Sequence, residues 1–122
     1  MGSIDCLLDT NILIQIWRGD RRVEAAIARY KYGLETIACL EFLQGVNHKQ
    51  KEKADEFIDR FGFVPFTASI SHRAVRLIRN FSHSKGLRMA DALIASTSLE
   101  FDIPLVTLNK KHFDFIDGIQ IV

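Results

Sequence analysis

The stretch IDCLLDTN at residues 4–11 decides the fold, because an apolar run stops there at a carboxylate, Asp9. Apolar residues resume directly afterwards, with ILI at residues 12–14 and then Ile16 and Trp17. This pattern predicts a buried strand that ends at Asp9 and turns into a helix. Ligands of open parallel sheets bind at the carboxyl ends of the strands. Asp, Thr and Asn are also good helix N-caps, so this stretch alone leaves both roles open for Asp9.

The composition predicts one globular domain over residues 1–122. The chain is 48% apolar and 25% charged, with a net charge of +1, so no overall positive field indicates a nucleic-acid partner. No apolar run approaches the ~20 residues of a membrane-spanning helix, and the first residues lack a signal peptide. These features favour a cytoplasmic protein with no membrane partner. Cys6 and Cys39 lie in apolar runs and are expected to be buried free thiols.

Alternating strand and helix patterns predict an α/β fold. The apolar periodicity places a cap at Ser69 or Ser71 and helix ends at Gly33 and Gly86. Strands that alternate with helices favour a mostly parallel sheet covered on both faces. Short strands are expected at 4–8, 34–37, 63–66, 103–107 and 119–122, about five in all, with helices near 12–17, 23–30, 38–46, 51–61, 70–81 and 89–99.

Three carboxylates stand alone inside apolar segments: Asp9, Glu41 and Asp91. Burying a lone carboxylate is costly unless it is paired, hydrogen-bonded or bound to a cation. If the three converge, they could bind a hard divalent cation such as Mg²⁺ or Mn²⁺ through oxygen ligands. Asp9 as a cap and Asp91 in a first helical turn also have structural explanations, whereas Glu41, in mid-helix, has no capping role. The residues alone leave open a metal site or three unrelated structural acids.

Four segments resemble the motifs of PIN-domain ribonucleases, in the family's order. They are LLDTN at 7–11, ACLEFLQG at 38–45, MADALIA at 89–95, and LVTLN at 105–109 followed by His112 and Phe113. Together they extend over essentially the whole chain. The length is similar to that of the VapC-type toxins of toxin–antitoxin pairs.

This resemblance implies a three-layer α/β PIN-like fold and an Mg²⁺- or Mn²⁺-dependent endoribonuclease that leaves 5′-phosphate and 3′-hydroxyl ends. It also implies a homodimer, an RNA substrate and inhibition by a cognate antitoxin protein. By position, Asp9, Glu41 and Asp91 match the catalytic, metal-binding acids of the family. The supporting residues implied at the same site are Thr10, Asn11 and Thr107.

The fourth motif departs from the family pattern. Many members have an acid at the position of Asn109 or of His112, and this chain has neither. Asn109 could still hydrogen-bond a metal-bound water, so it stays among the candidate catalytic residues. His112 is expected to be structural or to support another site residue rather than to act as a general base. The departure weakens the expectation of a second metal ion.

Several basic residues could hold RNA phosphates, or could simply form a solvated surface. Trp17 is expected to pack internally or to contact a partner rather than to stack on bases. The candidate RNA-binding residues are Arg18, Arg73, Arg76, Lys110 and Lys111.

Three functions therefore compete. The first is a toxin-type ribonuclease, and the second is a housekeeping PIN nuclease in RNA processing. The third is a metal-free module that binds RNA or protein through a degenerate site. Metal-dependent RNA cleavage separates the third from the others, and toxicity relieved by a neighbouring gene product separates the first from the second.

Overall fold

A computed structural model describes residues 4–27 and 30–122. The central sheet has four short strands, and every pairing between them is parallel. The strands are β1 (Cys6–Leu8), β2 (Tyr32–Glu35), β3 (Gly62–Val64) and β4 (Leu105–Val106), in the spatial order β3-β2-β1-β4.

Helices cover both faces of this sheet, as predicted for a three-layer α/β fold. Successive strand residues point to opposite faces, so Leu7 packs with α5 and α6 while Cys6 and Leu8 pack with α1, α3 and α4. The helices are α1 (Thr10–Trp17), α2 (Arg21–Ile27), α3 (Thr36–Gly45), α4 (Lys51–Ile58), α5 (Ala68–Lys85) and α6 (Met89–Phe101), with short 3₁₀ turns at His48–Gln50 and Lys110–His112.

The sheet differs from the prediction at its end and at its second strand. The structure has four strands rather than about five, because residues 119–122 contribute only one parallel bridge, from Ile121 to Leu105. The second strand begins earlier than predicted and contains Gly33, so Gly33 does not end a helix. A Cβ on Gly33 would lie 2.8 Å from a methyl carbon of Ile4, so a larger residue there would displace the Ile4 side chain. The helix predicted at 23–30 is seen as α2, and its positions 28 and 29 lie outside the described residues.

The ends of α5 show one wrong prediction and one confirmed one. The cap is Thr67, not Ser69 or Ser71, because the Thr67 hydroxyl accepts a hydrogen bond from the Ile70 amide at 3.2 Å. Gly86 ends the helix, as predicted, in a left-handed conformation with a φ of 70°.

The two cysteines are free, as predicted, although only Cys6 is fully buried and Cys39 is half-buried. In the described ranges, no helix is both long and apolar enough to cross a membrane.

The strand order creates one topological switch point. From β1 the chain adds β2 and β3 on one side, and β4 pairs with the other side of β1. In open α/β sheets, the crevice at the carboxyl end of such a point is the usual ligand site. Asp9 directly follows β1 there, and Thr107 directly follows β4.

Candidate active site

Asp9 is both a helix cap and the most enclosed of the three predicted acids. Its side chain is 6% exposed, and its extended backbone places it at the N-cap of α1. The Thr10 amide donates to Asp9 Oδ1 at 2.7 Å, and the Thr107 hydroxyl donates to Asp9 Oδ2 at 2.7 Å. A carboxylate has about four acceptor positions. These two bonds therefore fix Asp9 while leaving lone pairs on both oxygens.

Thr107 is oriented by the backbone of Asn109. The Asn109 amide donates to Thr107 Oγ1 at 3.0 Å, which leaves the Thr107 proton for Asp9. Thr107 is 4% exposed, so water does not compete for this hydroxyl. Within the site, Asn109 contributes its main-chain amide. The sequence analysis considered only the Asn109 side chain and did not predict this contact.

Glu41 is exposed, so the prediction of a buried lone carboxylate is wrong for this residue. Helix α3 turns Ala38 and Phe42 inward and leaves Glu41 at its outer edge. Glu41 Oε1 accepts a hydrogen bond from Thr10 Oγ1 at 2.8 Å. Because the amide of the same threonine donates to Asp9, Thr10 ties the two acids together.

Asp91 enters the site from the other layer of the fold. It lies in the first turn of α6, as predicted, and is half-buried. Its Oδ2 is 3.4 Å from Nδ1 of His112, which the 3₁₀ turn after β4 carries. His112 is thus placed to support Asp91.

Two of the three acids, Asp9 and Asp91, have a raised pKa. Burial is the main cause that raises the pKa of Asp9, and it is opposed by the hydrogen bonds from Thr107 and Thr10. Burial also raises the pKa of Asp91, followed by repulsion from Asp9. Repulsion from Glu41 also raises the pKa of both Asp9 and Asp91, and His112 lowers the pKa of both. Among the described residues, none of these three acids has a Lys or Arg salt-bridge partner. The site therefore carries uncompensated negative charge.

Glu35 is a buried acid that the sequence did not single out. It is the last residue of β2, is 0% exposed, and accepts hydrogen bonds from the amides of Ile37 and Ala38. It is thus the N-cap of α3, the helix that carries Glu41. Burial raises its pKa to about 7, with smaller contributions from Glu41 and Asp9. The sequence placed Glu35 inside a strand predicted over 34–37, whereas β2 ends at Glu35 and α3 begins at Thr36, so the capping position of Glu35 was not predicted.

The remaining candidates divide by location. Arg18 lines a cavity of about 650 Å³ together with Glu41, and Lys110 and Lys111 line another of about 480 Å³ with Thr107 and His112. Asn11 is exposed beside Thr10 in the first turn of α1. Two further candidates lie apart from the acids, on α5: Arg73, which pairs with Glu100 at 3.2 Å, and Arg76, which lines the same small cavity as Arg73.

Comparison with known proteins identifies the family. The PIN domain profile matches residues 6–118. The chain belongs to the PIN domain family. Within it the chain is similar to the VapC proteins: it is 28% identical over 120 residues to ribonuclease VapC19 of Mycobacterium tuberculosis, covering 93% of this chain and 96% of that protein. It is 31% identical over 111 residues to ribonuclease VapC1 of Methanocaldococcus jannaschii, covering 88% and 78%. A solved toxin–antitoxin complex from Klebsiella pneumoniae is 26% identical, with a TM-score of 0.81 over 94% of this chain and 95% of its own.

The acids of this PIN domain fit a loosely held divalent cation. In residues 4–27 and 30–122, no group of three or more His, Cys, Asp or Glu side chains is placed to hold a metal ion by itself. Mg²⁺ does not require one, since it usually keeps several waters and binds one or two carboxylates together with substrate phosphates. Asp9, fixed by two hydrogen bonds, with Asp91 and Glu41 nearby and no basic partner, suits that mode of binding.

Proposed function

We propose that this protein is an Mg²⁺- or Mn²⁺-dependent endoribonuclease and the toxin of a type II toxin–antitoxin pair, with residues 1–122 forming a single PIN domain. The observation that carries the proposal is that Asp9, Glu41 and Asp91 lie close enough at the switch point for electrostatic repulsion between them, without Lys or Arg partners among the described residues. The names of its relatives, ribonucleases VapC19 and VapC1, support RNA as the substrate.

Each acid has a distinct place in the proposed mechanism. Asp9 is the central metal ligand, held in one orientation by Thr107 and the Thr10 amide. Asp91 adds a second carboxylate from α6, and Glu41 reaches the site from the exposed edge of α3, where the Thr10 hydroxyl holds it. The threonines, being neutral, orient these carboxylates without cancelling the charge that attracts a cation.

A bound Mg²⁺ or Mn²⁺ would polarise the phosphodiester and lower the pKa of the attacking water. Without a cation, the three acids repel the phosphates of RNA. Lys110 and Lys111 lie beside the site, where they could bind those phosphates. Asn109 lies between Thr107 and Lys110 in the sequence. Its side chain is half-buried and could hydrogen-bond a water in the site.

The test of this activity is cleavage of a labelled RNA by the purified protein. We expect cleavage with Mn²⁺ or Mg²⁺, complete loss in excess EDTA, and recovery when the cation is restored. Cleavage that persists in EDTA would contradict the metal-dependent mechanism. The absence of cleavage with either cation would favour a binding module with a degenerate site.

The toxin role requires a partner protein. The similar Klebsiella pneumoniae structure is that of a toxin–antitoxin complex, which supports an antitoxin partner for this chain. We also expect the chain itself to form a homodimer in the cytoplasm. Expression should arrest growth, and co-expression of a small protein encoded next to the gene should relieve the arrest. Growth unaffected by expression of the active enzyme would indicate a housekeeping nuclease.

A further inference from the structure

A groove leads away from the acids on the α1, α3 and α4 side of the molecule. The cavity of about 650 Å³ beside Glu41 lies between α1, α3 and the start of α4. A second cavity of about 400 Å³ continues past Trp17 to Arg60. The two share Trp17 and Lys53 as lining residues, so they adjoin each other. We call the two adjoining cavities the Trp17 groove; the lining residues used below are Arg18, Trp17, Lys53, Glu41, Glu56, Phe57 and Arg60.

Trp17 is held rigidly at the middle of the groove. Its ring centroid is 5.4 Å from that of Phe42, edge to face, and 5.1 Å from that of Phe57. These contacts show internal packing, one of the two roles expected for Trp17 from the sequence, which did not predict base stacking on this ring. The residue is nevertheless only half-buried and lines both cavities. An aromatic ring fixed in advance loses little conformational entropy when another flat group stacks on it.

Three basic side chains, Arg18, Lys53 and Arg60, line the groove, together with two acids, Glu41 and Glu56. Among the described residues, Arg18, Lys53 and Arg60 have no salt-bridge partner. The Arg60 guanidinium lies 4.9 Å from the centroid of the Phe57 ring, where the ring stabilises it without neutralising it. Arg73, by contrast, is paired with Glu100. The groove therefore offers three basic side chains without salt-bridge partners, one more than its two acids.

We propose that the Trp17 groove binds unpaired nucleotides of the RNA next to the scissile phosphate, with one base stacked on Trp17 and phosphates on Arg18, Lys53 and Arg60. This proposal rests on the ribonuclease activity proposed above and assigns to it the residues that would stack on a base and bind the neighbouring phosphates. Aromatic platforms combined with a basic channel are the usual way to bind single-stranded nucleic acid. The volume beside Glu41 lies within the range of about 300–1,000 Å³ typical of ligand pockets.

A single strand suits this groove better than a duplex or a peptide. The groove begins at Glu41, so a strand bound at the acids can continue into it. Bases in a duplex are stacked on each other and cannot reach a side chain, whereas unpaired bases can. Three cations spread along the groove match the repeated charges of a phosphate backbone.

The first experiment uses the fluorescence of Trp17, the only tryptophan in the chain. The Asp9→Asn protein would be titrated with a mixed-sequence single-stranded RNA of ten nucleotides, which it should bind without cutting. We expect saturable quenching by the single strand and little by the same strand annealed to its complement. RNA binding, seen by anisotropy of a labelled strand, without quenching would overturn the stacking of a base on Trp17.

The second experiment removes the groove's charge. Lys53→Gln combined with Arg60→Gln should weaken single-strand binding about tenfold at low salt. Loss of two phosphate contacts should also reduce the salt dependence of log K by about 1.4, at about 0.7 per contact for single strands. The matched control is Lys85→Gln combined with Arg79→Gln, the same charge change at exposed positions of α5. An equal effect of the two pairs would overturn the proposal, because it would reveal only a general dependence on net charge.

Removing the ring gives an independent measure of the stacking. Trp17→Leu keeps apolar bulk and should reduce affinity by about five- to a hundredfold, the effect of losing one stacked base. If that variant does not fold, the quenching measurement still tests whether a base stacks on Trp17, because it uses a protein in which Trp17 is unchanged.

The outcomes separate this proposal from the ribonuclease itself. Cleavage by the wild type, together with unchanged RNA affinity in the Lys53 and Arg60 pair, would overturn the groove and leave the enzyme standing. If that pair instead weakened only the complex with the antitoxin, the groove would be a protein-docking surface, which also overturns the proposal. Quenching by RNA without cleavage would support the groove while contradicting the nuclease.

Discussion

Asp9 and Glu35 are two buried acids at the ends of neighbouring parallel strands, and they do different things. Both cap the helix that follows, and both have a pKa raised by burial. The two carboxylate oxygens of Glu35 accept hydrogen bonds from the amides of Ile37 and Ala38, and the side chain is fully buried. One carboxylate oxygen of Asp9 accepts a hydrogen bond from an amide and the other accepts one from the hydroxyl of Thr107, and the residue keeps a small exposed fraction.

The difference teaches that capping and burial do not distinguish a structural acid from a functional one. What distinguishes them is the surroundings. Asp9 lies at the switch point, where Glu41 repels its negative charge and where Asp9 in turn repels that of Asp91. Glu35 ends β2, one strand away, and its carboxylate is committed to the backbone of α3. Glu35 therefore fixes the start of α3, whereas Asp9 is the acid that we propose for metal binding.

The largest expected effect separates the two acids by activity. Asp9→Asn should lower RNA cleavage by about a thousandfold or more, since a bound metal supplies several kcal/mol of transition-state stabilisation and each 1.36 kcal/mol is tenfold in rate. Glu35→Gln should lower it less than about tenfold, because losing one cap bond costs only ~1 kcal/mol. Initial rates with Mn²⁺, on variants shown by circular dichroism to be folded, would measure both. Equal losses would break the distinction between the two acids.

The sequence predicted the contribution of Asp9 to the site better than that of Glu41. A lone acid between a strand and a helix can be placed from pattern alone, because the strand end defines its position. Helix α3 is apolar on nearly every side, and Leu40 is 56% and Leu43 37% exposed. Periodicity in such a helix cannot choose the inward face, which is why the prediction of a buried Glu41 is wrong.

Other features depend on contacts between distant parts of the chain. Thr10 bridges to Glu41 across 31 positions, and Thr107 reaches Asp9 across 98. The alternation of strands and helices predicted the layers, but not that the last segment adds only one bridge at Ile121. The order of the motifs was enough to predict that the acids belong to one site. The hydrogen bonds that orient the acids could be identified only in the folded structure.

The second prediction concerns pH and is dominated by Glu35. Its folded-state pKa of about 7 lies above its ordinary value of 4.5. Between these values the folded protein binds more protons than the unfolded chain, so the free energy of unfolding falls as pH rises from about 4.5 to 7. At 1.36 kcal/mol per pKa unit, the loss is about 3 kcal/mol. Urea unfolding of metal-free protein at pH 5 and pH 8 would measure it.

Asp9 and Asp91 contribute to this fall in the same direction, because burial raises both of their pKa values. Glu35→Gln should therefore reduce the pH dependence without abolishing it. If the free energy of unfolding of Glu35→Gln fell with pH as steeply as that of the wild type, the raised pKa of Glu35 would not be the main cause of the pH dependence.

The third prediction concerns stabilisation by the metal. A ligand at one hundred times its dissociation constant stabilises the folded state by about 2.7 kcal/mol. We expect Mn²⁺ to raise the melting temperature of the wild type and of Glu35→Gln by several degrees, and to have little effect on Asp9→Asn. Thermal melts with and without Mn²⁺, with EDTA-treated samples as references, would show this. A full shift in Asp9→Asn would place the cation elsewhere.

The smallest effect tests whether the hydroxyl contact to Asp9 matters for the metal. Thr107→Val removes the bond to Asp9 Oδ2 and leaves the Asn109 amide without its acceptor. Loss of such a supporting contact typically costs about 10–100-fold in metal affinity or activity. Thr107→Ser keeps the hydroxyl and should restore most of it. The control is Thr97→Val, a buried threonine whose hydroxyl bonds only to a carbonyl within α6. Mn²⁺ titrations followed by cleavage rate would separate weaker metal binding from a lower maximal rate. If Thr107→Val and Thr97→Val behaved alike, the contact would be structural, as the amide bonds of Glu35 are.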